Sequence, residues 1–249
     1  MAVVLSWAAL YSREAGQPLS GTEMALLAAC IWLGYAADRW CDCRKDPTTS
    51  TWEARHQWFW KYRQLFLPAW LGILLGAITA APGILTPASL LAGVGLAGLA
   101  FLYTIANSGN HLPWLVKSLK TALLLSLAVI LFGFGRNGNP AGLIWLPLIP
   151  LFASNCMVVN AWETLGSETE KQQKRMGGTG FSLLALGSFL FLHQFSEISQ
   201  LWILAGGLAS ICLLGATFWR PSPTWHSTGS FLADLLLVLP PIGALFLWD

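Results

Sequence analysis

The sequence predicts an all-α, polytopic transmembrane bundle of eight or nine helices, with residues 1–249 forming a single integral membrane domain. Three observations predict it. Of 249 residues, 55% are hydrophobic and only 10% charged, whereas a soluble domain is about 25% charged. The mean hydropathy is +0.58, and seven apolar runs approach the roughly 20 residues that a helix needs to cross the hydrocarbon core. The same composition excludes a secreted domain, a disordered chain and a coiled coil. A net charge of +2 leaves no basic face for nucleic acid.

Each helix follows from its run. Ala2–Tyr11 is apolar but too short to span, so it is a partial helix or the remainder of one that starts upstream. No positive region or A-x-A site marks it as a cleaved signal. Met24–Ala37 is apolar and runs straight into Asp38, so its helix is expected to continue into a polar site. Leu65–Leu85, Ala88–Ala106, Leu119–Gly135, Leu143–Asn160, Phe181–Phe195, Leu201–Trp219 and Phe231–Trp248 are the clear spans. Pro68, Pro87, Pro113 and Pro140 fall at or near span starts, where a missing N–H costs nothing. Pro147, Pro150, Pro240 and Pro241 fall inside apolar runs, where neighbouring helices must absorb a kink. Many Trp residues, among them Trp114, Trp162 and Trp219, stand near span ends, as interfacial belts do.

Assigning loops alternately to the two sides sorts the 14 basic residues. Arg39, Arg44, Lys45, Arg55, Lys61, Arg63, Lys117, Lys120, Lys171, Lys174, Arg175 and Arg220 fall on one side, against Arg13 and Arg136. The positive-inside rule makes the first side cytoplasmic, and the expected location is the cell (inner) membrane. Five Cys, an odd number, describe no disulfide framework. Cys30, Cys156 and Cys212 lie in apolar stretches, and Cys41 and Cys43 form a C-x-C without the further ligands zinc needs.

The acids gather on the same side. In GYAADRWCDCRKD, residues 34 to 46, Asp38 and Asp42 are four apart, so a continuing helix sets both positions on one face. Like charges so close need a cationic partner. Arg39, Arg44 and Lys45 are adjacent, and a hard ion such as Mg²⁺ suits carboxylate oxygens. In NAWETLGSETEKQQKR, residues 160 to 175, Asn160 and Glu163 share a face with Ser167. Glu168 joins them only if the helix ends near Gly166. Two acidic helix ends followed by Lys and Arg would make a pocket for one or two Mg²⁺ and a diphosphate, whose leaving charge metal and basic groups neutralise. Lys117 and Lys120 are point-charge phosphate ligands, and Arg55 and His56 stand in the long loop that would close over it. Taken one at a time, either segment is also readable as a solvated, mixed-charge helix end.

The arrangement resembles the UbiA superfamily of intramembrane prenyltransferases, whose bundle carries one Asp-rich motif after its second helix and another after its sixth. DRWCD matches the last two acids of N-D-x-x-D-x-x-x-D and the Arg after the first of them, while Gly34 and Tyr35 stand where Asn and Asp belong. For D-x-x-D-x-x-x-D the corresponding residues are Asn160, Glu163 and Ser167, with Glu168 one place late. The resemblance implies that Asp38, Asp42, Asn160 and Glu163 form the catalytic set and that Asp38, Asp42, Glu163 and Glu168 hold Mg²⁺. It implies that Arg39, Arg55, Lys117 and Lys120 bind diphosphate. It further implies transfer of a prenyl group from a prenyl diphosphate to a lipophilic acceptor, within membrane lipid. The competing reading is a noncatalytic isoprenoid-binding or scaffold protein that keeps the bundle. A transporter predicts inverted repeats and charge near the midplane. No repeat is found, and Asp234, in the last span, is the one such acid: it either touches the polar pocket, pairs with Arg220 or sits at the interface. Asn155 reads as an interhelical hydrogen-bonding group. A CDP-alcohol phosphatidyl transferase requires a contiguous D-G-x-x-A-R segment, which is missing.

Overall fold

The structure is a computed structural model and describes residues 1–44, 61–109, 114–134, 146–163, 168–195, 200–219 and 226–247. Among these residues the chain is all-helical: α1 Ala2–Glu14, α2 Gly21–Arg44, α3 Arg63–Ile84, α4 Pro87–Gly109, α5 Trp114–Phe134, α6 Leu148–Glu163, α7 Glu168–Phe195, α8 Gln200–Phe218 and α9 His226–Phe246. Five of them, α3, α4, α5, α7 and α8, are long and apolar enough to cross a membrane. Leu148–Trp162 of α6 and Phe231–Phe246 of α9 are apolar but shorter. The chain is therefore a multi-pass, membrane-associated helical protein. It divides into two compact units, one of residues 20–112 with residue 1, the other of residues 2–19 and 113–249.

In the first unit α2 packs against α3 and α4. Local chemistry sets both helix starts. Ser20 and Glu23 form a capping box: the Glu23 amide donates to Ser20 Oγ at 3.3 Å, and the Ser20 amide donates to Glu23 Oε2 at 2.8 Å. Two orphan amides are thereby satisfied, and α2 can begin at Gly21. Thr86 Oγ1 accepts from the Ser89 amide at 3.2 Å, with Pro87 in the first helical position, where its ring suits the required φ. Leu75, Ile78, Leu91, Phe101 and Leu102 are more than half exposed, and α3 buries no residue at all. Such bare apolar helices are stable only against hydrocarbon. Pro68 and Pro82 both lie within α3, so Pro68 sits deeper in its helix than a start position.

The second unit holds the packed core. Here α5 to α9 run up and down, and α1 packs on α5 and α9. At one pole the start of α5 meets the start of α7: a Cβ on Gly177 would stand 2.7 Å from Trp114 Cη2. The end of α6 meets the end of α8 at that pole, Trp162 and Trp219 lying edge to face at 6.3 Å. At the opposite pole Arg13 Nη1 donates to the carbonyl of Leu245 at 3.4 Å, and a Cβ on Gly133 would lie 2.8 Å from Tyr11 Cβ. The basic residues at the starts of α5 and α7 thus share one pole, and Arg13 stands at the other. A cluster of Trp7, Tyr11, Phe189 and Trp202, all fully buried, joins α1 to α7 and α8, with ring centroids 5.3 Å apart for Tyr11 and Trp202 and 5.0 Å for Phe189 and Trp202.

Several boundaries differ from the sequence expectation, and three of them bear on the polar residues. Among the described residues α6 begins at Leu148 rather than Leu143, because Pro147 and Pro150 lack the N–H groups an interior turn needs and so fit the first turn. α7 begins at Glu168 instead of Phe181: Glu170 and Lys174, one turn apart, pair at 2.9 Å, and the acids at its start suit the helix dipole. α9 begins at His226, so Asp234 lies eight residues (234 − 226) inside it, deeper than a span starting at Phe231 would put it.

Candidate functional site

The first motif sits at the end of α2. That helix runs without interruption to Arg44, so positions 38 and 42 lie one turn apart on a continuous helix, as the spacing predicts. Asp38 is half-buried. Five residues earlier α3 is tied to α2: Trp70 Nε1 donates to the Leu33 carbonyl at 2.9 Å, and Trp32 stacks on Phe66 at 6.3 Å. In the sequence Trp70 reads as one of the interfacial Trp residues near span ends, and such a Trp is a ready donor to a neighbouring helix. These contacts hold the end of α2 in place below the acids. The side chains of Arg39 and Asp42 lie outside the described residues, as do Arg55 and His56 entirely.

The second motif sits at the end of α6. Asn160 is half-buried on the last turn, and α6 stops at Glu163. Ser167 and Gly166 lie outside the described residues, as do the side chains of Glu163 and Glu168. The described part of α6 ends at Glu163 and that of α7 begins at Glu168; the segment on which the position of Glu168 depends lies outside the described residues. Lys117, half-buried, and Lys120, exposed, occupy the first turns of α5. At the same pole Lys174 is buried against Glu170, and an Arg175 guanidinium N–H donates to the Trp219 carbonyl. Among the described residues no group of three or more His, Cys, Asp or Glu gathers as a metal cluster. The residue types at positions 38 and 42, two aspartates one helical turn apart along α2, nevertheless suit a hard ion such as Mg²⁺, which takes one or two carboxylates and keeps water and phosphate for the rest.

Below this pole the bundle carries a set of interhelical polar contacts. Ser154 Oγ donates to the Gly178 carbonyl at 2.8 Å and lies 2.8 Å from Ser182 Oγ, joining α6 to α7. Thr179 Oγ1 donates to Thr217 Oγ1 at 2.9 Å, joining α7 to α8. Asn155 Nδ2 donates to Asp234 Oδ1 at 3.2 Å, joining α6 to α9. Asn155 therefore makes the interhelical bond its sequence context predicts, and its partner is Asp234; Arg220 lies outside the described residues. The Ser and Thr ladder was missed. Its signal in the sequence is the small-residue run Gly177, Gly178 and Ser182, which lets helices approach closely enough for short hydroxyls to reach across.

Comparison with known protein families, with curated proteins and with solved structures finds no match.

Proposed function

We propose that this chain is a Mg²⁺-dependent intramembrane prenyltransferase that draws a prenyl diphosphate from the membrane and passes its prenyl group to a lipophilic acceptor. The observation that carries this reading is the continuity of α2 through Arg44. It sets positions 38 and 42 one turn apart at the end of α2, directly after the apolar run Met24–Ala37. The helix order adds support: among the described residues these acids close the second helix, while Asn160 and Glu163 close the sixth. Bound Mg²⁺ would supply charge neutralisation for the departing diphosphate. Asp38 and Asp42 would hold it, with Arg39, Lys117 and Lys120 as the basic groups for phosphate oxygens. Glu163 and Glu168 are the second pair of acids. The positive-inside rule, applied to the basic residues of the sequence, supports a cytoplasmic side for both motifs.

The test is calorimetric titration of farnesyl diphosphate into the full chain in lipid nanodiscs. Binding is expected with Mg²⁺ and not with EDTA. Asp38→Asn and Asp42→Asn should each weaken it at least about tenfold, the usual effect of disturbing a metal's ligands, with Glu163→Gln weakening it independently. Binding that ignores EDTA and all three substitutions refutes the metal-dependent reading and leaves a noncatalytic isoprenoid-binding protein.

A further inference from the structure

Asn155 and Asp234 form a polar pair deep in the second unit that the diphosphate chemistry does not use. Asp234 is eight residues from the start of α9, and Asn155 is eight (163 − 155) from the end of α6. At 1.5 Å per residue both lie about 12 Å below the same pole, inside the hydrocarbon depth. Between them and the pole are buried apolar side chains: Val158, Trp162, Ala216 and Ala233 form one cluster, with Leu232 packed on it. Among the described residues no basic group pairs with Asp234, and its single hydrogen bond is the one from Asn155.

The atoms left over are all of one kind. Asn155 Oδ1 is buried without a hydrogen-bond partner, and Asp234 Oδ2 has no donor among the described residues. Oxygen atoms without donors, beside an acid at hydrocarbon depth, are the ligands that a hard cation takes. Charge balance selects its valence: one carboxylate and one monovalent ion leave no net charge in the bilayer core, whereas a divalent ion would leave +1.

We infer that Asp234 and Asn155 form an intramembrane binding site for a monovalent alkali cation, linking α6 to α9. The test uses the full chain in detergent, with radioactive ²²Na⁺ binding and thermal unfolding in NaCl against choline chloride at matched ionic strength. Saturable ²²Na⁺ binding and a Tm that climbs with Na⁺ concentration are expected, because a ligand bound only by the folded state stabilises it by mass action. Both should vanish in Asp234→Asn, which keeps the shape and one oxygen, and the affinity should fall about tenfold in Asn155→Ala, the scale of a lost coordination partner. Equal Tm in both salts with no bound ²²Na⁺ overturns the site, as does a Na⁺ response intact in Asp234→Asn. A Tm that rises only on acidification, again with no ²²Na⁺ bound, means that a proton neutralises the carboxylate and equally overturns it. Should Asp234→Asn fail to fold, Asn155→Ala decides alone, an unchanged ²²Na⁺ affinity being the refuting result.

Discussion

Gly206 and Gly207 are adjacent on α8 and face different neighbours. A Cβ on Gly206 would enter the ring of Phe189, whereas one on Gly207 would find only Leu186 Cδ1 at 3.9 Å. Phe189 cannot swing aside, since it is fully buried between Trp7 and Trp202. Gly206→Ala is therefore expected to destabilise the fold by about 1–3 kcal/mol through overpacking. Gly207→Ala should be neutral, or favourable by up to about 1 kcal/mol from helix propensity. Reversible unfolding in mixed micelles measures both, and equal effects would mean that the Phe189 contact is not tight. Nothing in the local sequence AGGLAS separates the two glycines. Their difference comes from a ring on α7 and cannot be read from α8 alone. Asn155 stands between these extremes: an amide inside an apolar run announces an interhelical hydrogen bond, but its partner, 79 residues away, is known only once α6 and α9 are packed.

At the scale of helices, legibility followed how much of each boundary is decided locally. The acid spacing of the first motif needed only a continuous helix, and α2 supplies it. The starts of α6 and α7 were shifted by effects that a hydropathy ruler does not weigh, proline tolerance in one and the Glu170–Lys174 pair in the other. The capping box at the start of α2 makes a direct prediction. Ser20→Ala removes the acceptor for the Glu23 amide, and also a hydroxyl 2.7 Å from the buried Glu23 carboxylate. A loss of about 1 kcal/mol is expected, read as faster amide exchange confined to the first turn of α2. Unaltered exchange there would show that the box contributes nothing to the helix start.

On the scale of the whole molecule, composition established membrane character and helical class before any element was placed, because 10% charge cannot clothe a water-soluble surface. It could not assign α1. A 13-residue helix with buried residues all round belongs in a core, yet its sequence does not say which one, and the structure places it with α5 and α9 instead of with the helix that follows it. That placement has a consequence in time. Synthesis completes α1 one hundred residues (114 − 14) before the start of α5 and 212 residues (226 − 14) before the start of α9. At 5–20 residues per second the delay is about 5–20 s for the first partner and about 10–40 s for the last. Throughout that interval Trp7, Leu10 and Tyr11 lack the surfaces that bury them. Leu10→Cys should react with a small maleimide in ribosome-stalled chains ending before α8 and be protected once α9 has emerged. Equal protection at both lengths would mean that α1 finds other cover. The nascent protein must therefore keep its first helix waiting for its last, which makes the insertion machinery, or whatever shelters α1 beside it, a participant in assembling the bundle.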